Sequence, residues 1–379
     1  MLFSVSAALE RKLLDREHQH AKRELKPDIG LIDFCSNDYL GFARNPRLAA
    51  LAEKIHPNDF SRLNGSTASR LLRGNTSFAE ETESMIARYH YAASALMFNS
   101  GYDANLGFFS CVPQKGDVIY YDKLIHASVH DGMRLSQAES KSFRHNDLNH
   151  LRDQVRKQAT GNKFVVAESV YSMDGDQAPL EDLAALAQEE NFHLIIDEAH
   201  AIGVFGENGE GLVNQRIAEV CFARIYTYGK AMGSHGAAVV GSELLRDYLI
   251  NFARSFIYTT ALPPHSQTLV RAAYSLLKED HQSRKLLHER IAYFKSQVEG
   301  LALNFVPGNS AIQSLIVGGN DATRKWAEIL QKNGMDVRAI LSPTVPSGQE
   351  RLRICLHSFN TREEMEKLTG ALKHLRAGD

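Results

Sequence analysis

Four short, almost wholly apolar runs recur along the chain between longer amphipathic stretches: Val118–Tyr121, Phe164–Ala167, His193–Ile196 and Ala237–Val240. A strand with one face in water alternates polar and apolar residues, whereas a run that is apolar throughout has both faces covered. Between two of these runs, Leu180–Glu190 places Leu180, Leu183, Leu186 and Ala187 on one helical face, and Phe78–Tyr91 does the same with Phe78, Met85, Ile86 and Tyr89. Strand, helix and strand in that order predict an α/β fold built on a large, mostly parallel sheet. After Pro263-Pro264 the pattern changes to long charged helices, Gln267–Lys278 and Asp280–Leu301, and then to a smaller α+β region. Near the start, Leu9, Leu13 and Leu14 have helical spacing. These shifts divide the chain into an N-terminal helix and arm (1–44), a large domain (45–270) and a small C-terminal domain (271–379).

Charge and cysteine usage exclude several function classes. Lys and Arg number 43 against 45 Asp and Glu, a formal charge of −2, so no basic field invites nucleic acid or an acidic lipid surface. The four cysteines, Cys35, Cys111, Cys221 and Cys355, are widely spaced and form no C-x-x-C pair, which suits neither a zinc knuckle nor a disulfide scaffold. The first residues have no basic stretch ahead of their short apolar run, and nowhere do about 18 apolar residues follow one another. The expectation is a cytoplasmic protein with no membrane, nucleic-acid or metal partner.

In an open parallel sheet, ligands bind beyond the carboxyl ends of the strands. The residues that follow the apolar runs are therefore the informative ones: Asp197-Glu198-Ala199-His200, Glu168 through Asp176, Asp122 through His126 and, after the apolar pair Ile225-Tyr226, Thr227-Tyr228-Gly229-Lys230. Alone, each has an ordinary reading as a cap, a turn or a solvated charge; together they bring acid, hydroxyl, imidazole and amine to one edge. Two tempting motifs fail. Asp197-Glu198-Ala199-His200 spells a helicase box, but no G-x-x-x-x-G-K-[ST] phosphate cradle accompanies it. Gly206 through Gly211 contains two glutamates, which would repel a pyrophosphate, and reads as a turn.

Pyridoxal phosphate fits these residues. It needs a lysine amine for its aldehyde, an anion that keeps its ring nitrogen protonated, a flat group over the ring and a helix start for its phosphate. Lys230 supplies the amine, and Asp197, 33 positions earlier, the anion. An opposite charge at about 4 Å contributes about 4 kcal/mol at an effective dielectric of 20, roughly three pK units, enough to hold a pyridine protonated at neutral pH. Gly101, just after Ala95–Phe98, lets backbone amides approach a phosphate, and Thr227 can add a hydroxyl.

Over nearly its whole length, from Ser36-Asn37-Asp38-Tyr39-Leu40-Gly41 to Arg351-Leu352-Arg353-Ile354, the sequence resembles the α-oxoamine synthases, a branch of the fold-type-I pyridoxal-phosphate enzymes. Ser172-Met173-Asp174-Gly175-Asp176, Asn251-Phe252-Ala253-Arg254 and Pro343-Thr344-Val345-Pro346 strengthen the match. The resemblance implies a large seven-stranded sheet domain, a smaller C-terminal domain and a homodimer with the active site at the subunit interface. It implies an acyltransferase that condenses L-alanine with a pimeloyl thioester, of coenzyme A or a carrier protein, with loss of CO₂, as in biotin biosynthesis. Sister reactions with glycine and acetyl-CoA or serine and a long acyl-CoA, a non-catalytic pyridoxal module, and plain amino transfer are the alternatives. Position by position, Lys230 matches the cofactor lysine, Asp197 the ring-nitrogen partner and His126 the residue stacked on the ring. Ser172 and His200 match groups near the cofactor's 3-oxygen, while Gly101, Tyr102 and Thr227 match the phosphate site. Thr259 and Thr260 match a strip that reaches the other subunit's phosphate. Arg353 and Asn37 match the holders of the amino-acid carboxylate, and Thr344 and Arg23 contacts to the acyl substrate. The catalytic expectation falls on Lys230, Asp197, His126 and His200. The chain departs from the family pattern at Ala79 and Thr82 and in Leu356-His357-Ser358-Phe359-Asn360.

Overall fold

The computed structural model describes residues 5–25, 27, 30–55, 65–157 and 160–377. Each apolar run is a strand of one seven-stranded sheet. In chain order its members are β1 (Ser94–Phe98), β2 (Val118–Asp122), β3 (Glu139–Phe143), β4 (Lys163–Glu168), β5 (His193–Asp197), β6 (Cys221–Thr227) and β7 (Ala237–Gly241). They lie side by side as β1-β7-β6-β5-β4-β2-β3. Only β7 runs against its neighbours, pairing antiparallel with both β1 and β6.

Alternate residues of the same strand enter two separate cores, which is why the central runs are apolar throughout. Ile119, Phe164, Val166 and Ile195 join one cluster with Phe108, Phe109 and Val129. Tyr120, Val165, Leu194 and Ile196 join the other with Leu151, Leu183 and Leu186. Each such side chain contributes about 1.5–3 kcal/mol when fully buried. The helix Leu180–Glu190 has the predicted limits and buries all four predicted residues. Strand β3 had no sequence signal. It is an edge strand in which only Phe143 is buried, so it needs no apolar run.

The chain divides into two compact units. The larger comprises residues 37–172 and 176–287 and contains the seven-stranded sheet. It also contains the helix Pro264–Glu279 and ends early in the next helix, His281–Val298, whose start is capped by Asp280 accepting from the Ser283 backbone at 3.0 Å. The smaller comprises 1–36, 173–175 and 288–379. In it β8 (Ile312–Ile316), β9 (Arg338–Ile340) and β10 (Arg351–Cys355) form an antiparallel sheet in the order β9-β10-β8, with helices Asn320–Lys332 and Arg362–Ala377. The units change at 36/37 and 287/288, where composition suggested 44/45 and 270/271. The N-terminal side shifts because Ile32 and Asp33 pair in parallel with Met335 and Asp336, and the Phe34 carbonyl accepts from the Cys355 amide. The helix Val5–His18 forms as expected but buries nothing within the chain; Leu9, Leu13 and Leu14 are all exposed.

Candidate active site

Within the larger unit the strand register aligns the carboxyl ends. Glu168 of β4 pairs with Asp197 of β5, and Asp197 with Ile225 of β6. The chain then turns away from β5 through buried His200 and from β6 towards Lys230. These two side chains meet, with Lys230 Nζ 2.7 Å from His200 Nε2. On its other side, His200 Nδ1 lies 2.8 Å from the hydroxyl of Tyr39, which donates to Asn37 Oδ1 at 3.0 Å.

A second line runs from Asp197 to His126. The Asp197 carboxylate is buried, accepting from the Ala199 amide on Oδ1 and from Asn105 Nδ2 on Oδ2, both at 2.9 Å. The same Asn105 nitrogen donates to Ser128 Oγ at 3.1 Å, and Ser128 engages His126 Nδ1 through its hydroxyl at 2.8 Å and its backbone amide at 3.2 Å. Because Nδ1 accepts from the amide, the single proton of a neutral His126 resides on Nε2. The outer part of this residue is exposed, yet desolvation by the surrounding protein pushes its pKa down; Asp197 opposes that shift and Lys230 adds to it. Glu168 is buried beside Asp197. Its Oε2 accepts from the Ser172 amide, and burial together with the Asp197 charge pushes its pKa up to about 8.

The helix Gly101–Cys111 starts opposite the end of β6. Ser100 caps it, accepting from the Asp103 amide at 3.1 Å. A Cβ at Gly101 would lie 3.4 Å from the Thr227 side chain, so a residue larger than glycine would crowd the space between the helix start and that hydroxyl. Tyr102 is exposed and its hydroxyl donates to Asp131. Asn99 Nδ2 donates to Thr259 Oγ1 at 3.0 Å and to the Thr260 carbonyl at 2.9 Å, which places that pair beside the same helix start.

The structure therefore gathers Lys230, His200, Asn37, Asp197, His126, Ser172, Gly101, Thr227, Thr259 and Thr260 on the larger unit. On the smaller unit Arg23 Nη2 donates to Thr344 Oγ1 at 3.3 Å, and both line a pocket of about 400 Å³ with Arg16, Arg324 and Arg338. Arg353 lies in β10, its Nη1 donating to Cys355 Sγ at 3.1 Å. Sequence reasoning gave no role to Asn105, Ser128, Tyr39 or Glu168. Glu168 had a signal in its place at the end of an apolar run, and Tyr39 in the motif it shares with Asn37. Glu198, the second letter of the helicase-like box, is a loop anchor: its Oε2 accepts from the Leu212 amide at 2.8 Å, and a Cβ on Gly211 (φ 113°) would collide with it. Among the described residues no cluster of His, Cys, Asp and Glu could hold a metal ion, and no helix is long and apolar enough to cross a membrane.

Over residues 29–372 the chain matches the family model for aminotransferase class I and II, and it belongs to that family. It is 42% identical to an 8-amino-7-oxononanoate synthase of Emericella nidulans, over 95% of this chain and 93% of that protein. It is 39% identical to the enzyme of the same name from Saccharophagus degradans, over 90% and 86%. Among solved structures, the 8-amino-7-oxononanoate synthase of Francisella tularensis superposes with a TM-score of 0.79 at 31% identity, covering 93% of this chain and 98% of that one. A serine palmitoyltransferase of S. paucimobilis, solved with PLP bound to myriocin, superposes with a TM-score of 0.89 over 100% and 99% at 23% identity, a likeness of fold. The fold is that of the fold-type-I pyridoxal-phosphate transferases.

Proposed function

We propose that the chain is a pyridoxal-phosphate-dependent acyltransferase that joins L-alanine to a pimeloyl thioester, releasing the thiol and CO₂ and forming 8-amino-7-oxononanoate for biotin biosynthesis. The observation that carries this reading is Lys230 Nζ at 2.7 Å from His200 Nε2, past the end of the strand paired with the one that ends in buried Asp197. The relatives of that name, about 40% identical over most of the chain, support the choice of substrates.

The residues fit the cofactor. The glycine cradle between the capped helix start and Thr227 suits a phosphate, with Tyr102 in the helix's first turn, and buried Asp197 suits a cationic ring nitrogen. When bound, pyridoxal phosphate supplies an electron-withdrawing ring that accepts the electron pair left at the Cα of an amino acid. Lys230 would hold the cofactor's aldehyde carbon, and its Nζ would be the base for the Cα proton. Asp197 keeps the ring nitrogen protonated, and Asn105 and Ala199 hold both of its oxygens in place. Neutral His126 offers a flat face to the ring and an Nε2 proton to the incoming acyl carbonyl. Ser172 and His200 serve the 3-oxygen. The resemblance assigns Asn37 and Arg353 to the amino-acid carboxylate, and Arg23 and Thr344 to the acyl substrate.

The active assembly in this reading is a homodimer in which Thr259 and Thr260 reach the partner's phosphate. Exposed Leu71, Leu72, Phe252 and Tyr258 support it: they surround the helix Arg254–Ile257 and the turn at 70–74, where Arg70 lies over Phe256 at 5.7 Å. The test crosses alanine, glycine and serine with acyl thioesters of several lengths and follows CO₂ and free thiol. The reading expects the highest kcat/KM for alanine with the pimeloyl thioester. A preference for glycine with acetyl-CoA, or for serine with a long acyl-CoA, would move the chain to a sister reaction; amino transfer without CO₂ would reject the condensation.

A further inference from the structure

Lys230 lies at one end of a buried line of hydrogen bonds, and counting protons fixes the direction of each. The Tyr39 hydroxyl has one hydrogen, and Asn37 Oδ1, at 3.0 Å, can only accept it. The Tyr39 oxygen, 2.8 Å from His200 Nδ1, must therefore accept a proton from that nitrogen. A neutral imidazole has a single N–H, so His200 Nε2 presents a lone pair, and Lys230 Nζ donates to it at 2.7 Å. Tyr39 is 1% exposed and His200 5%, so little water competes for these sites.

We propose that Tyr39 is a positioning residue for Lys230. By accepting from Nδ1 it holds His200 in the Nδ1–H tautomer and turns the basic nitrogen of the ring towards the lysine amine. Without the hydroxyl the Nδ1–H tautomer keeps only the Lys230 contact, and wherever that amine is deprotonated the proton can move to Nε2, where an N–H would face the amine. The same line commits the carbonyl end of Asn37 to Tyr39. A residue assigned to the amino acid and the lysine that works on it thus belong to one network. His126, whose Nδ1 accepts, carries the opposite tautomer.

The kinetic half of the proposal rests on the reading of Lys230 as the cofactor lysine; the tautomer does not. The first measurement is a ¹⁵N spectrum of cofactor-free protein labelled at histidine, with His200→Gln identifying the His200 signals. We expect a protonated Nδ1 and an unprotonated Nε2 in the wild type, and a shift towards a mixture in Tyr39→Phe. The second measurement is steady-state kinetics of the holoenzyme. Loss of the two buried hydrogen bonds of the Tyr39 hydroxyl predicts a kcat lower by about tenfold in Tyr39→Phe, with KM for alanine within about twofold and a melting temperature lowered by a few degrees at most, leaving the protein folded at the assay temperature. A wild-type His200 with its proton on Nε2, or on both nitrogens, would overturn the proposal. So would a Tyr39→Phe variant that keeps the wild-type tautomer or kcat, or that loses activity through KM alone. An inactive wild type showing the expected tautomer would count against the proposed reaction and leave the tautomer standing.

Discussion

The two sides of the candidate site use histidine in opposite ways. On the β2 side, His126 Nδ1 accepts from Ser128, and Ser128 is tied through Asn105 to Asp197. That arrangement leaves a proton on the outward nitrogen. On the other side, past the ends of β5 and β6, His200 Nδ1 donates to Tyr39 and a lone pair faces Lys230. One ring is set to give a proton and the other to receive one, although the two residue types are identical. The difference comes from second partners, a serine at one ring and a tyrosine at the other.

The largest expected effect falls on the lysine. Lys230→Ala removes the amine from the β6 side and should abolish turnover in the alanine assay while leaving the fold intact, checked by circular dichroism. Asp197→Asn comes next. Asparagine keeps the shape and removes the charge, so the pairing of about 4 kcal/mol is lost and kcat falls roughly a thousandfold. Stopped assays of CO₂ release measure it, and a rate within a few fold of wild type would reduce Asp197 to a structural strand end. Ser128→Ala tests the β2 side. It removes the hydroxyl that links Asn105 to His126, and we expect kcat about tenfold lower with cofactor affinity nearly unchanged, read by kinetics and by equilibrium titration.

The smallest effect concerns Glu168, which shares the strand end with Asp197. Its carboxyl is raised from 4.5 to about 8 by burial first and by the Asp197 charge second. The folded state therefore holds a proton that the unfolded chain releases above its own value, so this group lowers stability progressively between about 4.5 and 8 and by a constant amount above that. Glu168→Gln keeps the neutral shape and removes the penalty. Its melting temperature should exceed that of the wild type at pH 8 by more than at pH 5. Equal differences at the two pH values would mean that Glu168 is ionised in the folded protein.

How much of this was legible depended on whether a residue acts at a strand end or through a neighbour. Asp197, His200 and Lys230 follow apolar runs, and a parallel sheet carries the ends of such runs to one edge. Tyr39 stands in a motif with Asn37, but it meets His200 across 161 positions and Asn105 meets Asp197 across 92, and no local pattern marks either contact. Strand β3 was silent because an edge strand with one buried residue has the composition of a loop. Two of the departures from the family pattern, Thr82 and His357, acquire a local account. Thr82 is buried and donates to the Phe78 carbonyl at 2.6 Å within its own helix. His357 is buried, stacks on Phe359 at 4.6 Å, and is held by the Asn360 side chain. Both substitutions come with partners, which reads as local packing.

The central claim is that Lys230 is the residue that holds the cofactor, with Asp197 and His200 arranged around it. The direct measurement is borohydride reduction of the holoenzyme, followed by digestion and mass mapping of the modified peptide. The account predicts the reduced cofactor on the peptide containing Lys230, and no such adduct in Lys230→Ala. Finding it on a different lysine, with Lys230 unmodified, would contradict the assignment of the site.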